Sequence, residues 1–234
     1  MEESKRQSVR ILQLDNFTKG ALGLIALGIW VLVFQGIGGA PFSGGPVRGI
    51  KKSALKSAEQ QFREGMSLVG RNEIDAGINQ LRKAVELNPF HSQAYFNLGV
   101  AYGIKGKEAE ATEAFKKVIE IDPGYAPAHN NLGALYARAG KLNEAINEYK
   151  EALTLAPNYA DAYGNLGAVL ARQGALEPAI EALKIAIKLN PNHLGARTSL
   201  AEVYTRKGMK AQAAEELKIV QRLRSQAAGG APRR

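Results

Sequence analysis

The strongest constraint on this chain is a motif that returns every 34 residues through most of its length. Four prolines keep that spacing, and each ends a similar phrase: ELNP, EIDP, TLAP and KLNP. They are Pro89, Pro123, Pro157 and Pro191. Leu-Gly pairs, glycines and alanines keep the same spacing, namely Leu98-Gly99, Leu132-Gly133 and Leu166-Gly167; Gly106, Gly140, Gly174 and Gly208; and Ala111, Ala145, Ala179 and Ala213. Several registers kept over successive copies indicate an internal repeat with one structural unit per copy.

Each copy predicts a pair of α-helices. The glycine near the middle can adopt the left-handed conformation that ends the first helix, and the proline near the end stops the second. Apolar residues recur on one face of each helix, as with Leu132 and Leu135 on one and Ala145 and Tyr149 on the other. Because a lone helix pair cannot bury such faces, the copies must stack into an all-α solenoid.

These residues resemble the tetratricopeptide repeat (TPR) family, whose 34-residue unit carries Leu-Gly, Tyr, Ala, an aromatic residue, Ala and Pro at fixed offsets. The resemblance places five repeats at residues 58–91, 92–125, 126–159, 160–193 and 194–227. It implies a right-handed superhelical solenoid of five helix pairs. The match is looser in repeat 1, where Glu64-Gly65 replaces Leu-Gly, and in repeat 5, which has Leu200-Ala201 and no terminal proline.

The second helices support a count of five repeats. At the two positions expected to face the following repeat, the first four repeats carry Ile78, Thr112, Ile146 and Ile180, and Val85, Ile119, Leu153 and Ile187. Repeat 5 carries Ala214 and Gln221 there. We therefore expect repeat 5 to form the end of the stack, since apolar side chains disappear where no sixth repeat covers them.

An uncharged apolar segment precedes the repeats. It follows a charged tail at 1–19, covers 20–40, and leads into a Gly/Pro-rich basic linker at 41–57. The 20 residues from Ala21 to Ala40 are enough for one membrane crossing, so we predict a transmembrane anchor helix. A cleaved signal peptide and a buried soluble helix are the alternatives. Residues 228–234 are expected to be a disordered tail.

The topology of the predicted anchor is poorly determined by charge. Basic residues flank the apolar segment equally on both sides, so the positive-inside rule gives a tie. The layout resembles bacterial signal-anchored proteins, which favours a single-pass inner-membrane protein with extracytoplasmic repeats. A cytoplasmic repeat domain, as in the mitochondrial import receptors that this layout also resembles, is the alternative.

The overall charge does not indicate a nucleic-acid-binding protein. The formal net charge is +9, but residues 58–224 hold 21 basic and 19 acidic side chains, a net of only +2. Most of the excess flanks the apolar segment, where Lys and Arg can contact anionic head groups. We therefore expect contact with a membrane through residues 20–40 and no nucleic-acid partner.

The chain shows no catalytic constellation. It has no cysteine, which excludes disulfides, thiol nucleophiles and thiolate metal sites. Its three histidines, His91, His129 and His193, occupy positions where neighbouring repeats mostly carry Tyr, so we interpret them as rings packed at helix junctions. No phosphate loop or metal-ligand spacing is present. We expect no enzymatic activity, no metal and no cofactor.

The resemblance implies that partners bind in a concave groove lined by the first helices. One groove position reads Arg63, Asn97, Asn131, Asn165, Ser199, and the three asparagines resemble the asparagine ladder of the O-linked N-acetylglucosamine transferase repeats. A carboxamide both donates and accepts, so it can pair with any peptide backbone. The alternative is that these asparagines bond within the stack or to water.

Two further sets of residues are candidates for the groove. Arg138, Arg172 and Arg206 are one repeat apart and could bind an acidic segment or a terminal carboxylate. Alternatively, they offset the dipole at the end of each first helix. Phe62 and Phe96 are candidate apolar anchors, although packing at the repeat edge explains them equally well.

These patterns predict a membrane-anchored scaffold or adaptor. Its groove would bind extended or helical protein segments, with acidic ones among the candidates, and would recruit or assemble a membrane-associated complex. The alternative is a structural accessory subunit that a membrane complex holds through the transmembrane helix.

Overall fold

The computed structural model describes residues 49–229. Within this range the chain forms ten α-helices and no β-strand. The helices are α1 Lys52–Gly70, α2 Ile74–Leu87, α3 Ser92–Ile104, α4 Glu108–Ile121, α5 Ala126–Arg138, α6 Leu142–Leu155, α7 Ala160–Gln173, α8 Leu176–Leu189, α9 Leu194–Arg206 and α10 Lys210–Gly229. Each odd-numbered helix packs on the next one, and each pair packs on the following pair. The predicted all-α stack of five helix pairs is confirmed.

A left-handed residue separates the two helices of every repeat. Gly106, Gly140, Gly174 and Gly208 have φ between 70° and 88°, as their register predicted. In repeat 1 the equivalent residue is Asn72, with φ 65°. Asparagine tolerates this conformation better than most residues with a Cβ, so repeat 1 keeps the same turn without a glycine.

Glycines on the first helices allow the two helices of a repeat to approach closely. A Cβ on Gly99 would lie 2.8 Å from Phe115, and one on Gly133 would lie 2.8 Å from Tyr149. Each large side chain fills the space that its glycine leaves. The Tyr149 ring is almost fully buried, and this burial raises the pKa of its phenol to about 12.

The core continues from each repeat into the next, in addition to the packing of the two helices inside each repeat. Ile78, Leu81 and Val85 of α2 form one cluster with Leu98 and other residues of α3. Equivalent clusters follow at the later junctions, and the half-buried rings of Tyr95, Tyr136 and Tyr163 each contact two neighbouring clusters. Stacking therefore buries the apolar faces that the sequence pattern defined.

The first and last helices are longer than predicted. Helix α1 begins at Lys52, so residues 52–57 of the expected linker are helical, because the last helix-breaking residue of the linker is Gly49. Helix α10 continues to Gly229, which places the first two residues of the expected 228–234 tail in a helix.

The end of the stack matches the prediction only partly. Ala214 and Gln221 are exposed, as expected of a terminal helix. Leu217, however, is 51% exposed, whereas the residues in its register are 0% to 3% exposed. Those residues are Leu81, Phe115, Tyr149 and Leu183. In the described part of the chain no further helix pair covers this leucine.

The predicted anchor at 20–40, the tail at 1–19 and most of the linker lie outside the described residues. Among the helices of residues 49–229, none has the length and apolar character needed to cross a membrane.

Candidate functional site

The first helices of successive repeats lie side by side and form a groove, here called the first-helix groove, built from α1, α3, α5, α7 and α9. Two cavities open along it. The cavity between α3 and α5 is about 390 Å³, and its lining includes Val100, Gly103, Ile104, Asn131, Ala134 and Arg138. The cavity between α7 and α9 is about 150 Å³, and its lining includes Ala168, Arg172, Ser199, Glu202 and Arg206. We call them the α3/α5 cavity and the α7/α9 cavity.

The three asparagines of the predicted ladder lie in the groove but differ in their bonds. Asn97 donates from Nδ2 to the backbone oxygen of Gln93, one turn earlier in its own helix, at 2.8 Å. Asn165 donates to Oδ1 of Asn130 in the preceding repeat at 2.9 Å. Asn130 in turn donates to Oδ1 of Asn131 at 3.4 Å. Two of the three asparagines thus take part in a bond network between repeats 3 and 4.

Asn130 links this network, and the sequence reading missed it. Only 6% of its surface is exposed, which makes it the buried polar residue of the described chain. Its register contains Phe62, Phe96, Gly164 and Thr198, so no periodic polar signal marks the position. A buried carboxamide needs partners, and its two asparagine neighbours supply them.

The three arginines also divide into two kinds. Arg172 donates from Nη1 to the backbone oxygen of Ala137 at 2.8 Å, and Arg206 donates to that of Ala171. Each arginine therefore caps the C-terminal end of the first helix in the preceding repeat, where carbonyl groups lack helical partners. Arg138 instead pairs with Glu108 at 3.1 Å, and both side chains are about half exposed. Arg172 and Arg206 do contact a helix C-terminus, as predicted, but it is the C-terminus of the neighbouring first helix and not of their own.

Phe62 and Phe96 pack against aromatic rings of their own repeats. The Phe62 ring centroid is 4.8 Å from that of His91, and the Phe96 centroid is 5.1 Å from that of Tyr125. Both phenylalanines are half-buried. The geometry favours packing at the repeat edge over a free apolar anchor.

The histidines occupy helix junctions. His91 and His193 accept hydrogen bonds at Nδ1 from backbone N–H groups, at 3.4 Å and 3.2 Å, and so cap the N-termini of α3 and α9. His129 contacts Glu148 at 2.8 Å between the two helices of repeat 3. In repeat 5 the same two positions hold Arg197 and Glu216, 2.6 Å apart.

A second set of bonds that the sequence reading missed joins the ends of three first helices to the preceding repeat. Between repeats 1 and 2, Lys105 pairs with Asp75 at 2.8 Å. Between repeats 3 and 4, Gln173 donates to Asn143 at 2.6 Å. Between repeats 4 and 5, Lys207 pairs with Glu177 at 2.6 Å, and this hydrogen bond lowers the pKa of Glu177 below its usual value.

The junction between repeats 2 and 3 lacks such a bond, because the two equivalent positions are Ala109 and Ala139. The Arg138–Glu108 pair, one residue earlier on each helix, is the polar link at the ends of α5 and α4 there. The α3/α5 cavity opens at this same junction.

Family models and solved structures place this architecture. Models of the tetratricopeptide repeat match residues 62–126 and 177–228, and further models of the repeat match 114–147, 135–174 and 160–193. An uncharacterized protein of Methanocaldococcus jannaschii is 34% identical over 61 residues, which is 26% of this chain and 71% of that protein.

Solved proteins share the fold, among them MamA, PilF and YrrB. MamA is 27% identical with a TM-score of 0.62, and the match covers 70% of this chain and 96% of MamA. PilF of Pseudomonas aeruginosa is 22% identical with a TM-score of 0.65, covering 78% of this chain and 80% of PilF. YrrB, described as a TPR protein with an unusual peptide-binding site, is 22% identical with a TM-score of 0.58, covering 74% of this chain and 92% of YrrB. The repeat matches between residues 62 and 228 and the ten-helix stack show that this chain belongs to the tetratricopeptide repeat family.

Proposed function

We propose that this protein is a scaffold or adaptor whose first-helix groove binds extended or helical segments of other proteins. The α3/α5 cavity is the observation that carries the proposal. It opens between first helices of neighbouring repeats because Gly103 and Ala134 leave space where larger residues would fill it. A concave site of about 390 Å³ with few polar groups is typical of ligand pockets.

One solved protein of this fold supports the binding of a peptide segment. YrrB is described as having a peptide-binding site, so this architecture can present one. We propose no catalytic role, because no histidine lines either of the two cavities described above.

We further propose that the scaffold is held at a membrane by residues 20–40. The apolar run Ala21–Phe34 and the basic residues that flank it support this part of the proposal. A bacterial inner membrane with extracytoplasmic repeats is our preferred location, and a cytoplasmic repeat domain is the alternative. Tethering would raise the effective concentration of the groove near its partners.

Plugging the groove tests the scaffold function. In Gly103→Leu combined with Ala134→Leu, the new side chains fill the α3/α5 cavity, and a Cβ on Gly103 meets no atom within 4 Å. Ala76→Leu combined with Ala211→Leu is the matched control, since both alanines are exposed on second helices. We expect crosslinking and mass spectrometry in native membranes to identify partners of the wild type and of the control variant but not of the plugged variant. Partner recovery equal to wild type from a folded plugged variant would contradict the proposal.

An accessory subunit held by its apolar segment is the second candidate, and the apolar run at 20–40 is what favours it. Replacing residues 20–40 with an unrelated transmembrane helix separates the two functions. A scaffold should keep its partners, whereas an accessory subunit should lose them. Protease protection of residues 58–227 in sealed vesicles determines the orientation.

A further inference from the structure

The two cavities of the first-helix groove differ in chemistry. Aliphatic side chains line much of the α3/α5 cavity, and among them Ile104 is 58% exposed. Gly103 adds open space, since a Cβ there would meet nothing within 4 Å. This volume suits one large apolar side chain, whose burial would be favourable.

Two guanidinium groups dominate the α7/α9 cavity. Arg172 and Arg206 each donate one N–H to a backbone carbonyl, which holds both side chains in place. A guanidinium has five N–H donors, so each keeps most of them for a ligand. No carboxylate within residues 49–229 lies within 4.0 Å of either group.

The charge of this cavity favours an acidic ligand. Glu202 shares the lining but forms no ion pair with either arginine, so one carboxylate faces two cations. A carboxylate from a ligand would neutralise the remaining charge, and Ser199 offers a hydroxyl beside it. Guanidinium groups bind carboxylates through paired, charge-assisted hydrogen bonds. The volume of about 150 Å³ suits a small polar group rather than a large side chain.

We infer, on the basis of the proposed function, that the groove selects protein segments with one apolar side chain and one carboxylate. The apolar side chain enters the α3/α5 cavity, and the carboxylate enters the α7/α9 cavity between Arg172 and Arg206. The cavities are two repeats apart, so roughly 20 Å separates them at the usual distance between packed helices. An extended chain covers that span in about six residues.

Peptide selection tests this inference. The full-length chain in detergent is immobilised and exposed to a random library of displayed 12-residue peptides. We expect enrichment of peptides with Asp, Glu or a free C-terminus about six residues from Leu, Ile, Met or Phe. Replacing the selected Asp or Glu by its amide should weaken binding about tenfold or more, the loss typical of a charge-assisted hydrogen bond.

Variants assign the carboxylate to its site. Arg172→Gln combined with Arg206→Gln removes both charges but keeps N–H donors for the two carbonyls. Lys184→Gln combined with Lys188→Gln removes two exposed charges from α8 and is the matched control. The arginine variant should lose the acid preference, while the lysine variant should bind within twofold of wild type. Arg→Lys at both positions should restore part of the preference, and circular dichroism checks the fold of each variant.

The outcomes distinguish this inference from the function on which it rests. Two outcomes would overturn the inference and leave the scaffold function intact. In the first, Gly103→Leu blocks binding of the selected peptides, but the peptides show no preference for an acidic residue. In the second, the arginine variant keeps the same preference. If no peptide is enriched, or if Gly103→Leu blocks none of them, both fail.

Discussion

The junction between repeats 2 and 3 differs from the two junctions that follow it. At repeats 3 and 4, Asn165 bonds Asn130 and Arg172 caps the end of α5. At repeats 4 and 5, Arg206 caps the end of α7. Between repeats 2 and 3, the exposed ion pair of Arg138 and Glu108 takes the place of these bonds.

The sizes of the cavities follow this difference. The cavity is about 390 Å³ where first helices lack a direct carbonyl cap and about 150 Å³ between α7 and α9, where Arg206 supplies one. Neighbouring repeats with the same backbone can therefore be open or closed on the groove side, depending on a few side chains. The open junction gives the wide cavity, and the arginine caps accompany the narrower one.

The largest expected contrast concerns two glycines of α3. Gly99→Ala places a Cβ 2.8 Å from the buried Phe115 ring, so we expect the free energy of unfolding to fall by about 2 kcal/mol. Gly103→Ala points into the open cavity and should raise it by about 0.5–1 kcal/mol through helix propensity. Urea unfolding followed by circular dichroism measures both. Changes of the same sign would show that the α3/α5 cavity is not open.

The asparagine network provides the next contrast. Asn165→Ala leaves Oδ1 of buried Asn130 without its donor, and we expect a loss of about 1–3 kcal/mol. Asn97→Ala removes a bond within one helix, so the free energy of unfolding should change by less than about 0.5 kcal/mol. Urea titrations of the two variants make the test. Equal losses would mean that the junction at repeats 3 and 4 is not specially held.

The arginines should show a smaller contrast. Arg172→Ala removes the cap on Ala137 and should cost about 1 kcal/mol. Arg138→Ala removes an exposed ion pair and should cost at most about 0.5 kcal/mol, with a dependence on salt. Thermal melts at low and high salt distinguish them. A loss at Arg172 that depends on salt as strongly as the loss at Arg138 would point to an ion pair rather than a cap.

The smallest effect comes from building a bond at the open junction. Ala109→Asp combined with Ala139→Lys copies the Lys105–Asp75 pair and should stabilise the fold by about 0.3–0.5 kcal/mol. A double-mutant cycle with the two single variants isolates the coupling energy. A coupling of zero at low salt would show that the helix ends at this junction lie too far apart for such a pair.

The sequence predicted the parts of the structure that recur at one position in every repeat. The glycine register placed the turns at Gly106 and its equivalents, and the apolar registers identified the faces that stack. Asn72 shows the limit of this reasoning, because its left-handed turn is kept by a different residue type. A periodic signal identifies a structural requirement only when one residue type satisfies it.

The bonds between repeats could not be predicted in this way. Asn130 has phenylalanine, glycine or threonine as its equivalents, and its partner Asn165 stands at a different position of the next repeat. The carbonyls that Arg172 and Arg206 cap belong to the backbone, which carries no sequence signal. The arginine column was visible, but its partner in the preceding repeat depends on how the helices stack.

The four pairs at the ends of the first helices have a consequence for how such a chain can change. Cation meets anion, alanine meets alanine, amide meets amide, and cation meets anion again, so each repeat matches the neighbour that it has. Deleting repeat 3 by recombination would place Gln173 against Ala109 and leave its carboxamide without Asn143. These side-chain pairs therefore favour the present order of the repeats, although every repeat has the same backbone.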